Sequence, residues 1–148
     1  MHDDIARNPY PTVDAIIELP GDRIVLIERV HEPLGFALPG GFVEYGERAE
    51  DACIREAREE TGLDIRLTRL FGVYSDPTRD QRRHTLTCVY LATAEGEPSG
   101  GSDAAAAHPW PLADLEHVVL AFDHGLIVRD YLHWRRTGEL PPPRPGGT

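Results

Sequence analysis

Two apolar runs open the readable part of the chain. Thr12 to Leu19 and Arg23 to Val30 are rich in Ile, Val and Leu, and Pro20-Gly21-Asp22 lies between them. Short apolar runs joined by turn residues predict a β-hairpin. From Val30 to Gly41 the pattern is broken by Pro33, Gly35 and Pro39-Gly40-Gly41, which predicts a loop with a short strand at Phe36 to Leu38. Glu47 to Thr61 has no Gly or Pro and is rich in Ala, Glu and Arg, so it predicts a helix of about four turns. Gly62 suits its C-terminal cap, because glycine takes the left-handed conformation without strain.

Leu63 to Ser75 and Thr85 to Thr93 predict strands, separated by a polar turn region, Asp76 to Arg83, that contains Pro77. Ala94 to Ala107 predicts a loop, His108 to Leu112 a short strand and Ala121 to Trp134 a second helix. Strands before, between and after two helices predict an α/β fold with a mixed β-sheet packed between helices. Residues 1–135 form the expected single domain. The proline-rich residues 136–148 are expected to be a flexible tail.

Composition narrows the classes. The chain has 148 residues, 41% hydrophobic and 27% charged, which fits one domain with a real core and excludes a wholly disordered or collagen-like chain. Asp and Glu exceed Lys and Arg by 25 to 15, a formal charge of −10. That balance argues against a long nucleic acid as partner, while a small anion remains compatible where a metal ion supplies local positive charge. The two cysteines, Cys53 and Cys88, have no metal-type spacing and read as buried reduced thiols. No apolar run approaches a membrane span and the acidic start does not read as a signal peptide, so a cytoplasmic protein is expected.

The chemistry is concentrated between Gly41 and Leu63, GFVEYGERAEDACIREAREETGL. On a helix each residue advances by ~100°, so Glu56, Glu59 and Glu60 fall within one arc, shared with Ala49, Ala52 and Cys53. An ordinary solvated face would put the glutamates opposite the small apolar residues. Like charges at helical spacing repel, by about 0.2–0.5 kcal/mol per pair when exposed and more when desolvated. Arg55, four residues before Glu59, relieves only part of this. A hard divalent cation relieves the rest, and Mg²⁺ in particular takes a few carboxylates, waters and substrate phosphate oxygens.

This stretch resembles the Nudix box, G-x5-E-x7-R-E-U-x-E-E-x-G-U with U a bulky apolar residue, through Gly41, Glu47, Arg55, Glu56, Glu59, Glu60, Gly62 and Leu63. The one departure is Ala57, small where U is expected. The resemblance implies a Nudix-type α/β/α sandwich over about residues 10 to 135 and a metal-dependent hydrolase of nucleoside diphosphates linked to another group. It implies Mg²⁺ or Mn²⁺ as cofactor. Glu56, Glu60 and the Gly40 carbonyl are the implied ligands, Glu59 is a ligand or base, Arg55 orients Glu59, and Glu47 is an outer acid. The general base is expected in the loop before Trp110, with Asp103 ahead of Glu95 and Glu97.

Phe71 to His84, FGVYSDPTRDQRRH, and Leu120-Ala121-Phe122-Asp123-His124 resemble ADP-ribose pyrophosphatase-like Nudix proteins. Pro77 matches a recurring proline of that group, and Gln81 replaces a second one. The implied reaction converts ADP-ribose, or a related compound, to AMP and ribose 5-phosphate. Two alternatives stay open: a triphosphate diphosphatase that removes oxidised nucleotides, and a non-catalytic nucleotide-sensing domain. The basic island Arg79, Arg82, Arg83 and His84 offers phosphate or ribose contacts, with Arg82 and Arg83 the chosen residues. Arg29 is placed at the cleft wall, Phe36 and Tyr74 are the candidate stacking rings, and Phe122 is assigned to the core. The expected partner is a small nucleotide, and the resemblance implies a homodimer.

Overall fold

The computed structural model describes residues 7–99 and 106–146. Strands β1 (Tyr10–Leu19), β2 (Arg23–Arg29), β3 (Gly35–Ala37) and β4 (Gly40–Phe42) precede helix α1 (Ala49–Thr61). Then come β5 (Arg66–Tyr74), β6 (Thr85–Thr93), β7 (Ala106–Pro111), a 3-10 helix at Leu112–His117 and helix α2 (His124–Thr137). The sheet runs β3-β2-β1-β6-β5, with β4 also paired to β1 and β7 to β2. β1 and β6 are parallel from Tyr10↔Thr85 to Glu18↔Thr93 and the other pairs are antiparallel, so the sheet is mixed.

The period-two alternation of β1 assigns its faces. Val13, Ala15, Ile17 and Leu19 pack with Ala52, Cys53 and Ala57 of α1. Ile16 packs with Ile127, Val128 and Tyr131 of α2 on the opposite side, where Leu26, Val89 and Leu91 join it. A helix therefore covers each face, as expected. Two polar residues of β1 also face α2. Asp14 meets His124, and Glu18 accepts a hydrogen bond from the Tyr131 hydroxyl at 2.7 Å.

Helix α1 ends as its sequence predicts, with Gly62 at φ 73° and its N–H donated to the Arg58 carbonyl. Three elements differ from expectation. β4 was not anticipated, because Gly40-Gly41 carries no strand signature. β1 imposes it through the pairs Thr12↔Phe42, Val13↔Gly41 and Asp14↔Gly40. α2 begins at His124 rather than Ala121, because Phe122 turns to φ 57° before it. The proline-rich tail, expected to be flexible, returns to the domain. Arg144 makes two hydrogen bonds to Asp130 of α2, at 2.8 and 2.9 Å, and Tyr74 donates its hydroxyl to the same carboxylate at 2.7 Å.

No helix among the described residues is long and apolar enough to cross a membrane. Cys53 is buried on the sheet-facing side of α1, and burial pushes its thiol up to about 12.

The two faces of α2 give a test of this packing. Ile127 is fully buried, so Ile127→Ala should cost ~2–5 kcal/mol in urea unfolding. Exposed Arg129→Ala should change stability by under ~0.5 kcal/mol.

Candidate active site

The site forms where β4 crosses in front of α1. Gly41 lies against Glu56, and a Cβ at Gly41 would overlap the Glu56 carboxylate. Gly40 lies against β1, where a Cβ would overlap the Val13 carbonyl oxygen and the Asp14 carboxylate. Only glycine allows this double approach. The Gly40 N–H then donates to Glu60 Oε1 at 2.8 Å, which ties the strand to the helix.

Arg55 gathers the remaining acids. Its Nε and Nη2 donate to the two Glu47 oxygens at 2.8 and 2.9 Å, and Nη1 donates to Glu56 at 2.9 Å. The same Nη1 reaches both Glu59 oxygens at 3.4 Å, and Nη2 donates to the Phe42 carbonyl at 3.1 Å. Arg55 thus joins the loop before the helix, the helix itself and the end of β4. The Arg55 guanidinium holds the Glu47 carboxyl down at about 2. Glu59 is the loosest of the group, with its side chain 57% exposed.

Glu56 and Glu60 are raised instead. Burial is the main cause for both, and each feels nearby carboxylates; Glu60 is pushed up to about 8. Two half-buried carboxylates one helical turn apart are held in an arrangement that disfavours their ionised forms. Among the described residues no cluster of three His, Cys, Asp or Glu side chains forms a ready-made metal cage. The donors present are hard oxygens, two raised carboxylates beside a close-approaching backbone. They fit a Mg²⁺-type ion that takes its other ligands from water and substrate.

Across β4 the cleft is lined by Arg29, Arg82, Phe122, Asp14, His124 and Arg79. Asp14 is 6% exposed and accepts from the Thr87 hydroxyl at 2.6 Å. His124 Nδ1 accepts from the Leu38 N–H at 3.0 Å, so the ring proton sits on Nε2, which faces Asp14 Oδ1 at 3.4 Å. Burial pushes His124 down to about 3 and Asp14 up to about 7. Buried Arg79 pairs with Asp123 at 2.7 and 2.9 Å and with the Thr85 hydroxyl at 2.6 Å, anchoring the 76–84 loop to the start of α2.

The NUDIX domain family matches residues 8–134. The chain belongs to the NUDIX family. It is 46% identical over 131 residues to an ADP-ribose pyrophosphatase of Methanocaldococcus jannaschii, covering 86% of this chain and 76% of that protein. The NUDIX domain of Shewanella oneidensis NrtR complexed with ADP ribose superposes with a TM-score of 0.77 at 26% identity, covering 88% of this chain and 90% of that one. A bifunctional NMN adenylyltransferase/ADP ribose pyrophosphatase of Francisella tularensis, complexed with AMP and a Mn ion, superposes with a TM-score of 0.77 at 27% identity. That alignment covers 86% of this chain and 42% of the Francisella chain.

Within this NUDIX fold the structure brings Gly40, Glu56 and Glu60 together, with Arg55 and Glu47 beside them and Glu59 at the solvent margin. Arg29 and Arg82 line the adjoining cleft, which Gly40 and Gly41 also line. Arg83 lies at the rim, over the rings of Tyr10 and Phe42 at 4.8 and 5.5 Å.

Two expected rings are elsewhere. Tyr74 is buried in the layer under α2 with its hydroxyl on Asp130. Phe36 packs edge-on against Trp110 at 5.2 Å. Asp103 lies outside the described residues. Glu97 pairs with Arg23 at the start of β2, while Arg29 ends that strand at the cleft. The two arginines are six residue steps apart along the strand, roughly 20 Å, so Glu97 is remote from the site. Glu95 lines a separate groove with Leu19, Pro20 and Gly62.

Asp14, Phe122 and His124 are cleft residues that the sequence pattern did not assign to the site. Asp14 left a trace, as a charge inside an apolar strand. Phe122 left none, because an isolated aromatic before a helix reads as core.

Gly41→Ala should abolish turnover in a protein that still folds, since the methyl group displaces Glu56; kinetics beside a circular dichroism melt would show it. His124 generates a pH prediction. Its native form stays neutral down to about 3 while the unfolded ring protonates near 6.5. At this ring the unfolded state therefore binds more protons in that window, so its contribution to stability falls as pH drops, by up to ~1.4 kcal/mol per pH unit, while Asp14, pushed up to about 7, contributes with the opposite sign. Between pH 6.5 and 4 the urea stability of His124→Gln should fall less, or rise more, on acidification than that of the parent protein.

Proposed function

We propose that this chain is a divalent-cation-dependent pyrophosphatase that hydrolyses ADP-ribose to AMP and ribose 5-phosphate. The observation that carries the reading is one cleft lined by Arg29, Arg82, Gly40 and Gly41, with Glu60 bonded to the Gly40 N–H and Glu56 packed against Gly41. Carboxylates suited to a cation adjoin guanidiniums suited to phosphate, which is the charge pattern a diphosphate requires. The identity to the Methanocaldococcus enzyme and the ADP-ribose and AMP in the two structural neighbours support this substrate.

Glu56, Glu60 and the Gly40 carbonyl would hold the cation, either Mg²⁺ or Mn²⁺. When bound it supplies charge neutralisation at the diphosphate and a more acidic water. The chain's residues do the rest. The arginines bind and orient the diphosphate, Gly41 gives Glu56 its place, and Arg55 keeps Glu47, Glu56 and Glu59 from repelling one another apart. Glu59, exposed and weakly held, takes the proton from the attacking water. Water adds to one phosphorus, the bridging P–O bond breaks, and the products leave as two monophosphates. Asp103 is the alternative base. A homodimer, as the family resemblance implies, and a place in the cytoplasm, as the sequence pattern suggests, complete the proposal.

Glu60→Gln keeps an oxygen acceptor for the Gly40 N–H but loses the charge. It should lower kcat at least about a hundredfold with the fold intact. The reading is tested with a panel of ADP-ribose, other nucleotide sugars and normal and oxidised dNTPs, each with Mg²⁺ or Mn²⁺ and with chelator. Preference for ADP-ribose, lost on chelation, is expected. Preference for a triphosphate would move the chain to nucleotide sanitation, and binding without turnover would make it a sensor.

A further inference from the structure

Phe122 has a non-glycine left-handed backbone, φ 57°, a conformation that persists only where its surroundings impose it. Here both flanks do so. The Ala121 N–H is bonded to the Phe36 carbonyl at 2.8 Å, and Asp123 is locked by Arg79. The ring is thereby directed at the cleft, where the guanidinium carbons of Arg29 and Arg82 lie 4.8 and 5.1 Å from its centroid.

Each guanidinium is also fixed along one edge. Arg29 Nε donates to the Pro33 carbonyl at 2.6 Å and its Nη2 to the Glu32 carbonyl at 3.4 Å. Arg82 gives Nε and Nη2 to buried Asp80 at 3.0 and 2.8 Å. Nη1 of both arginines has no hydrogen bond among the described residues. Arg29 has no carboxylate within 4.0 Å among them either, although the whole chain carries a charge of −10. Two like charges are held close together on one ring, and Arg82 contributes to the lowering of the Arg29 pKa after burial. An anion between them relieves that repulsion.

We propose that Phe122 is a positioning residue that mounts Arg29 and Arg82 as a two-armed clamp for a phosphate group of the substrate, rather than a stacking platform for its base. The choice of ligand rests on the diphosphate reading above; the clamp itself rests on this geometry. Cation–π contact with the ring orients both planar groups so that their free Nη1 edges are presented without further ordering. A base stacked on a ring face that either guanidinium covers would have to displace it.

The test uses the full chain and two readouts. The first is calorimetric titration with inorganic pyrophosphate, and in parallel with adenosine, without divalent cation. The second is steady-state hydrolysis of ADP-ribose with Mg²⁺. Phe122→Leu should weaken pyrophosphate binding about tenfold and raise KM by a similar factor, with kcat within about threefold. Phe122→Tyr, which keeps the ring, should restore both. Arg82→Gln should weaken pyrophosphate binding alike, and Phe122→Leu combined with Arg82→Gln should weaken it less than the product of the single effects.

Unchanged pyrophosphate affinity in folded Phe122→Leu would overturn the clamp. So would multiplicative effects in the double variant, or no pyrophosphate binding by the parent protein. Loss of adenosine binding in Phe122→Leu with pyrophosphate binding intact would identify a base platform instead. If ADP-ribose is not hydrolysed while the pyrophosphate results hold, the substrate reading fails and the clamp stands.

Discussion

The close approach of the Gly40-Gly41 backbone to two neighbours at once is the constraint on which the site depends. β1 sits on one side of this short strand and α1 on the other, and neither leaves space for a Cβ. The strand itself is too short to be stable alone. Its place is fixed by β1 pairing and by the Gly40 N–H bond to Glu60. A peptide group thereby becomes part of a carboxylate cluster, and the helix that carries the cluster is locked in register against the sheet.

An acidic chain must solve two electrostatic problems to handle an acidic ligand. The first is its own carboxylates. Arg55 offsets part of their repulsion by bonding to Glu47, Glu56 and Glu59 together from a partly buried place between them. Glu56 and Glu60 remain partly buried and raised, which is the state a divalent cation relieves. The second is the ligand's charge. Arg29 and Arg82 line a cleft together with Gly40 and Gly41, the two residues that Glu60 and Glu56 contact, so opposite charges adjoin the same cleft. Net charge excluded a long polyanion but said nothing about this local arrangement.

The side of the sheet under α2 carries a second polar layer. Asp14, Thr87, His124, Arg79 and Asp123 connect β1, β6, the 76–84 loop and the start of α2. Neutral His124 takes one N–H from Leu38 and faces Asp14 with its own, joining the chain just before β4 to the strand beneath it. This layer keeps the arginine-bearing loop and the carboxylate-bearing helix in one frame, although they belong to opposite faces of the sheet.

The spacing of α1, its glycine stop and the alternation of β1 and β6 are local properties, so apolar and acidic positions alone located the layers, the helix and Glu56 and Glu60 within it. Arg55 and Glu47 also followed from one continuous motif, and Gly40 from its place just before it. The rest required the folded chain, because it depends on residues distant in sequence meeting. Arg29 and Arg82 are 53 positions apart; a turn imposed by Phe36 and Arg79 brings Phe122 to both, and no pattern within its own segment marks that. Tyr74 looked equally available for a ligand, but β5 buries it under α2, where Asp130 takes its hydroxyl. Periodicity determines which face a side chain occupies on its own element. Which element covers that face, and which is left open to a ligand, is decided only when the elements pack.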